Sequence, residues 1–166
     1  MRWDDHINEI TNKAKQKTWF LRRLKKFGAS EGKLLELYKL FVRSGIEFAS
    51  PLWSNALTKS NLNQLERIQA RITDLIIGPN DLSYNDRLQR LNIVKLEDRL
   101  KMNSARFSDK MIRDPRFQFL FPRSSNTMNT RNKNVYVETF CKTNRMYYSA
   151  IPSFIRAQNI KHKQSV

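Results

Sequence analysis

The sequence predicts an all-α fold: a bundle of about five helices, followed by a less ordered basic C-terminal tail. The first observation behind this prediction is that apolar residues recur at helical spacing in five segments. These segments are 4–27, 30–48, 60–77, 84–91 and 95–113. The second is that residues which end helices separate the segments, among them Gly28, Pro51 and Gly78. A length of 166 residues is enough for one domain with an ordinary hydrophobic core.

Local signals justify each helix in turn. Acidic residues open the first helix, where they complement the helix dipole, and Gly28 is placed to end it. Ser30 is a candidate N-cap for the second helix, and Pro51 predicts a corner after it, with Trp53 filling space behind the corner. Ser83 is a candidate cap for the short fourth helix. These signals predict where helices begin and end, independently of their apolar stripes.

We expect a division into two parts. Residues 1–113 are predicted to form a helical domain, and residues 114–166 a basic tail that docks on it in part. Within the tail, 122–134 is polar and is predicted to be a mobile loop. Val135–Phe140 has weak strand character, although no second strand is predicted to pair with it.

The charge of the chain points to a polyanionic partner. There are 31 lysine and arginine residues against 15 acidic ones, which gives a formal net charge of +16. Like charges repel in a folded protein, so stability gives no reason for this excess. Nucleic acid is the leading candidate partner, and a membrane surface is the second.

Other features restrict the class of protein. The single cysteine, Cys141, excludes an intramolecular disulfide and a multi-cysteine zinc site. No apolar run approaches the roughly 20 residues that span a bilayer, and the polar, acidic beginning does not resemble a signal peptide. We therefore expect an intracellular protein, nuclear or cytoplasmic, with no membrane partner.

The first helix carries the strongest candidate for a binding face. Five of its residues share the side opposite the apolar stripe, and four of the five are cations that frame an aromatic ring. They are Lys15, Trp19, Arg22, Arg23 and Lys26. Cations can meet phosphates while a base packs on the indole, so the set is typical of nucleic-acid binding. The alternative is that Trp19 packs within the domain and the cations form a solvated face.

Two further basic rows are candidates. Arg67 and Arg71 lie one turn apart on the outer face of the third helix. Arg99, Arg106 and Arg113 repeat every seven residues along the last predicted helix, where they could follow a nucleic-acid backbone. The alternative for these rows is a set of surface ion pairs, each of which contributes little to stability.

Seven segments of the chain resemble one known family. They are Trp3–Ile7, Leu37–Lys39, Glu47–Trp53, Leu65–Arg71, Ser83–Leu91, Leu96–Arg99 and Arg145–Phe154. In order and spacing they resemble the thumb and post-thumb region of reverse transcriptases from non-LTR retrotransposons, jockey-like elements among them. The resemblance implies a nucleic-acid-binding segment of an RNA-directed DNA polymerase. Its ligand would be an RNA–DNA hybrid or duplex held by its backbone, and the missing polymerase core would be a second partner.

The resemblance also implies what this chain does not contain. The family carries its catalytic carboxylates upstream of this region, so we expect no catalytic residue, no metal ligand and no cofactor here, although the parent polymerase would use magnesium. Asp4 and Asp5 open a helix, where acids are expected anyway. Two alternatives remain open from the sequence: a stand-alone basic helical protein that binds RNA or DNA, and a non-functional remnant.

Overall fold

The computed structural model describes residues 3–79, 81–124 and 134–164. Across these ranges the chain is helical, which confirms the all-α fold class. The described residues contain no strand, and their one β-bridge joins Arg123 to Tyr136.

Within these ranges the helices are α1 (Asp4–Lys26), α2 (Glu31–Leu37), α3 (Ser44–Glu47), α4 (Ser50–Trp53), α5 (Lys59–Ile77), α6 (Tyr84–Arg90), α7 (Leu96–Arg113), α8 (Asn144–Tyr147) and α9 (Ala150–Gln164). A π-helical turn, Tyr38–Arg43, joins α2 to α3, so the predicted second helix is continuous but locally wider than an α-helix. Short 3₁₀ segments cover Ser54–Ala56 and Pro115–Leu120.

The chain forms two compact units. The N-terminal unit contains the described residues up to Ser50 together with Leu57–Leu100. The C-terminal unit contains Pro51–Ala56 and the described residues from Lys101 onward. The predicted division into a helical domain, 1–113, and a basic tail, 114–166, stays a prediction.

The core of the N-terminal unit is built from the apolar stripes of α1, α2, α5 and the π-helical turn. The buried apolar residues on these elements are Ile7, Ile10, Ala14, Leu21, Leu34, Tyr38, Val42, Leu65, Ile68, Ile72 and Ile76, and Ile46 of α3 is buried as well. Their periodicity is the one that predicted the helices, because one face of each helix must leave water. Each large aliphatic side chain buried here contributes roughly 1.5–3 kcal/mol relative to exposure.

Side-chain hydrogen bonds align α1 and α5 along their length. Near their beginnings, Asn61 Nδ2 donates to Asp4 Oδ1 at 3.0 Å. Near their ends, Lys25 Nζ donates to the backbone carbonyls of Leu75 and Ile76, the latter at 3.3 Å. The two helices therefore lie side by side and run in the same direction, with Lys25 satisfying carbonyls that the end of α5 leaves unpaired.

Gln69 of α5 is the centre of a buried polar network. It is 1% exposed, and its Oε1 accepts a hydrogen bond from the Tyr38 hydroxyl at 2.5 Å. Its Nε2 donates to the Val94 carbonyl at 2.9 Å and to the Tyr84 hydroxyl at 3.1 Å. Burial is the main cause that raises the pKa of the Tyr38 hydroxyl, so it stays a neutral donor.

Glu66, one turn before Gln69, satisfies the beginning of α7. Its carboxylate accepts from the backbone N–H of Leu96 at 3.1 Å and of Glu97 at 3.3 Å. It also accepts from the Tyr84 hydroxyl, whose pKa is raised by burial and by this bond. A negative charge at a helix N-terminus is stabilising, so Glu66 fixes where α7 begins relative to α5.

The predicted helix boundaries are confirmed in most places. Gly28 and Gly78 follow α1 and α5 with φ of +84° and +90°, values that favour glycine. Ser83 forms a capping box with Asp86 at the start of α6. Ser30 occupies the N-cap position of α2, but its side chain makes no capping hydrogen bond.

In the C-terminal unit, α9 packs its apolar face on a small cluster. Phe154 and Ile155 of α9 are buried together with Met111 and Phe121. Asn159 of the same helix exchanges two hydrogen bonds of 3.0 Å with the backbone of Tyr136. These contacts tie the segment around residue 136 to α9.

Two predictions about the tail need correction. Val135–Phe140 is not a strand: its backbone pairs with the Asn159 side chain and forms one bridge, because no neighbouring strand is available in the described tail. No helix was predicted between 134 and 164, where the structure has α8 and α9. Pro152 obscured α9 in the sequence, although proline is tolerated in a first helical turn. The predicted loop at 122–134 falls mostly outside the described residues.

Candidate nucleic-acid interface

A cleft of about 450 Å³ opens between α1 and α5 in the N-terminal unit. Side chains from both helices line it: Lys15, Thr18, Trp19, Arg22, Ile68, Arg71, Asp74 and Leu75. We call this site the α1–α5 cleft. Its lining combines apolar side chains with exposed cations, and it includes four of the ten residues that the sequence predicted to bind nucleic acid.

Three cations of the α1–α5 cleft are available to a ligand. Lys15, Arg22 and Arg71 are exposed, and among the described residues their side chains make no hydrogen bond or ion pair. Unpaired cations gathered at one concave surface attract phosphate groups, and their charge is not already neutralised by the protein.

Other lysines of α1 are engaged within the protein. Lys13 pairs with Glu9 at 2.5 Å, and Lys17 Nζ donates to the carbonyl of Phe41 at 2.6 Å. Lys25 donates to the last turn of α5, as described above. The run of cations in the sequence therefore includes some side chains that are bonded within the protein and others, Lys15 and Arg22, that line the cleft without such a bond.

Trp19 lies outside the buried core. Its side chain is 58% exposed, and the guanidinium carbon of Arg23 lies 4.9 Å from the centre of its ring. This distance is typical of a cation–π interaction, which restrains the indole and leaves the opposite face uncovered by Arg23. The arrangement provides an aromatic surface beside the cations of the cleft.

Asp74 is an acidic residue that lines the cleft and was not predicted. Its Oδ1 lies 3.7 Å from Nη1 of Arg87, in an ion pair whose acidic partner is largely exposed. Asp74 and Leu75 follow Arg71 by one helical turn, so the spacing alone could have indicated a shared face. No sequence signal indicated that this face meets α1.

The other predicted residues lie elsewhere. Lys26 and Arg67 are exposed in the N-terminal unit but do not line the cleft, and Arg106 and Arg113 are exposed in the C-terminal unit. Their binding roles stay predictions. Arg99 instead pairs with Glu47, with Nε 2.6 Å from Oε1.

The hydrogen bond from Arg99 to Glu47 raises the pKa of the guanidinium and occupies it. Arg43 also approaches Glu47, at 3.3 Å. Because its carboxylate partner already neutralises its charge, Arg99 is less suited to phosphate binding than the arginines of the cleft. Arg99 also does not line the α1–α5 cleft.

Metal binding and membrane insertion find no support in the described residues. Residues 3–79, 81–124 and 134–164 contain no group of three metal-ligating side chains arranged to hold an ion. None of their helices has both the length and the apolar character needed to cross a bilayer. The predicted absence of a cofactor stays a prediction.

Fold and site together define a strongly basic, all-α protein with a cationic cleft. One family model matches part of the chain, residues 3–47, and its description is "Alkylated DNA repair protein alkB homolog 8, N-terminal". The matched region runs from the beginning of α1 to the end of α3, which is less than half of the chain. No curated protein and no solved structure matches this chain.

The assignment to a reverse transcriptase of a non-LTR retrotransposon is wrong. The family model that matches residues 3–47 belongs to a different protein, and this overturns the polymerase function with its retrotransposon context. The structure gives the physical reason. Several residues that carried the resemblance have structural tasks: Glu66 satisfies the beginning of α7, Gln69 joins the buried network, and Ser83 caps α6. Such spacing follows from helix packing and does not identify an activity.

Proposed function

We propose that this protein binds nucleic acid through the α1–α5 cleft. The observation that carries the proposal is the convergence of three unpaired cations, Lys15, Arg22 and Arg71, on one concave surface beside an exposed tryptophan. The formal net charge of +16 supports a polyanionic ligand. The name of the family matched at residues 3–47 concerns repair of alkylated DNA, which supports the same class of ligand.

The form of the ligand is part of this proposal. Contacts from lysine and arginine to phosphates suit a duplex bound by its backbone, and an RNA–DNA hybrid, which the family resemblance implied, is one such duplex. Such contacts carry no base specificity, so affinity would depend on salt more than on sequence. A polymerase core is not proposed as a partner.

The test is a double charge reversal, Arg22→Glu with Arg71→Glu, measured by fluorescence anisotropy with a labelled RNA–DNA hybrid over a salt series. We expect weaker binding, because both side chains would change from attracting phosphates to repelling them. In a plot of the logarithm of the association constant against the logarithm of the salt concentration, the slope should become shallower by about 0.9 for each phosphate that the protein no longer neutralises.

The matched control is Lys33→Glu with Lys59→Glu. It changes the net charge equally at two exposed residues of the N-terminal unit that do not line the cleft. Circular dichroism and thermal unfolding of both double variants would show that the fold persists. Equal losses of affinity in the two double variants would mean that overall charge, and not the cleft, holds the ligand. Unchanged affinity in the variant with Arg22→Glu and Arg71→Glu would refute the proposal that the α1–α5 cleft is the binding site.

A further inference from the structure

We infer that the α1–α5 cleft accepts an unpaired base that stacks on Trp19, so that the preferred ligand carries a single-stranded segment next to any duplex. This inference rests on the proposed function and adds to it a contact that a blunt duplex cannot make. Bases inside a duplex are already stacked and paired, and their faces are not available to a protein side chain unless the pair opens.

The state of Trp19 is the first step of the argument. Trp19 is 58% exposed and lines the cleft together with unpaired cations, so its ring is available to a ligand bound there. The Arg23 guanidinium, 4.9 Å from the ring centre, lies over one face of the indole. A base on the opposite face would complete a stack of guanidinium, indole and base, which is a recurrent arrangement in single-strand recognition.

The surroundings of Trp19 suit a whole nucleotide. Lys15 and Arg22 lie one turn before and one turn after it on α1, and Arg71 of α5 lines the same cleft. They could contact the phosphates on either side of a stacked base. The volume of about 450 Å³ falls in the range of roughly 300–1,000 Å³ that is usual for small-molecule sites.

Asp74 adds polarity that a site for phosphate alone would not need. Its carboxylate lines the same cleft as the three cations. A carboxylate repels phosphate, but it accepts hydrogen bonds from the exocyclic amino groups of bases. A cleft with cations at the sides of an aromatic ring and an acceptor within it is better matched to a nucleotide than to backbone phosphates alone.

Three ligands test the inference: a blunt RNA–DNA hybrid, the same hybrid with a short single-stranded overhang, and the overhang hybrid with abasic sites in place of its unpaired bases. The abasic overhang keeps the extra phosphates and removes only the bases. We expect the intact overhang to bind roughly tenfold or more tightly than the blunt hybrid, and the abasic overhang to lose most of that gain.

The protein variants are Trp19→Leu and Trp19→Phe. The ratio of the affinities for overhang and blunt hybrid should approach one in Trp19→Leu and stay well above one in Trp19→Phe, which retains an aromatic face. Since Trp19 is largely exposed, both variants are expected to keep the fold, and circular dichroism checks this.

The outcomes separate the inference from the function on which it rests. Binding of all three ligands with equal affinity, or a gain that persists in Trp19→Leu, would overturn base stacking while leaving nucleic-acid binding intact. A gain of the same size from the abasic overhang would assign the preference to phosphates and would also overturn the inference. Failure of the wild-type protein to bind any of the three would refute the proposed function itself.

Discussion

At the scale of single residues, what matters is whether each charged side chain is already paired. Lys17 donates to the carbonyl of Phe41, and Lys25 to the end of α5, so both serve the fold. Lys15 and Arg22, on the same helix, make no such contact in the described structure and line the cleft. A ligand would therefore meet only part of the cationic run.

Asp74 offers a prediction at this scale. Asp74→Asn removes a negative charge that lines the cleft and also ends the 3.7 Å ion pair with Arg87. Both changes favour the binding of phosphate groups in the cleft. Because interactions between exposed charges are worth roughly 0.2–1 kcal/mol, the affinity for the blunt RNA–DNA hybrid should rise by about threefold. The gain should shrink as salt is raised.

The control for this substitution is Asp81→Asn, which changes the net charge equally at an exposed residue that does not line the cleft. Anisotropy titrations of the two variants at matched salt give the comparison. A drop in affinity for Asp74→Asn, or an equal rise in both variants, would contradict the placement of Asp74 at the ligand.

At the scale of secondary-structure elements, α5 organises the N-terminal unit. Its apolar face enters the core, and its exposed face contributes Arg71 to the cleft. Between these faces, Glu66 and Gln69 bond to α6, to the beginning of α7 and to the π-helical turn. The helix that forms one wall of the cleft is therefore held in place by polar contacts as well as by apolar packing.

Gln69→Leu tests this role. The substitution leaves the buried Tyr38 hydroxyl without its acceptor and also removes the hydrogen bond to the carbonyl of Val94, an exposed residue. An unsatisfied buried polar group costs about 1–3 kcal/mol, so the free energy of unfolding should fall by roughly that amount in denaturant titrations. Gln64→Leu is the matched control on the same helix, where the side chain donates to Asn8 at the surface. Similar losses in both variants would argue against the network.

At the scale of the whole molecule, the net charge of +16 opposes folding and favours a polyanion. Carboxylates that accept hydrogen bonds offset part of this repulsion. Asp109 accepts from Gln158 Nε2 at 2.6 Å and from Lys161 Nζ at 3.0 Å. The bond from Gln158 is the main cause that lowers the pKa of Asp109, and Lys161 contributes to the same effect.

A pH dependence of stability follows from this lowered pKa. The folded state holds Asp109 ionised more readily than the unfolded chain does, so its contribution is present above the ordinary aspartate pKa of about 3.9. It is lost as pH falls through the lower, folded-state value. The thermal midpoint should therefore drop in acid, and the difference between the wild type and Asp109→Asn should shrink there. A difference that stays constant from neutral pH into acid would contradict this account.

Local signals in the sequence were enough to predict the fold class and most helix boundaries of the N-terminal unit. These signals are the periodic apolar residues, the helix-ending glycines Gly28 and Gly78, and the Ser83 cap. Each depends only on residues close to it along the chain, so it can be recognised without the tertiary structure. The sequence did not reveal α9, because Pro152 and the exposed aromatics before it resemble an irregular tail. The family assignment made from the sequence was wrong. It depended on the spacing of residues such as Glu66 and Gln69, and that spacing is constrained by packing within the fold.

Which of the predicted cations form a site depends on how the helices pack against each other. Lys15, Trp19 and Arg22 were predicted as one face, but Arg71 and Asp74 join them only because α5 lies beside α1. Arg99, predicted as equivalent to Arg106 and Arg113, is instead paired with Glu47, a residue 52 positions away in the chain. The physical reason is the same in each case: helical periodicity is a local property, whereas pairing and the formation of a cleft depend on which faces meet in three dimensions.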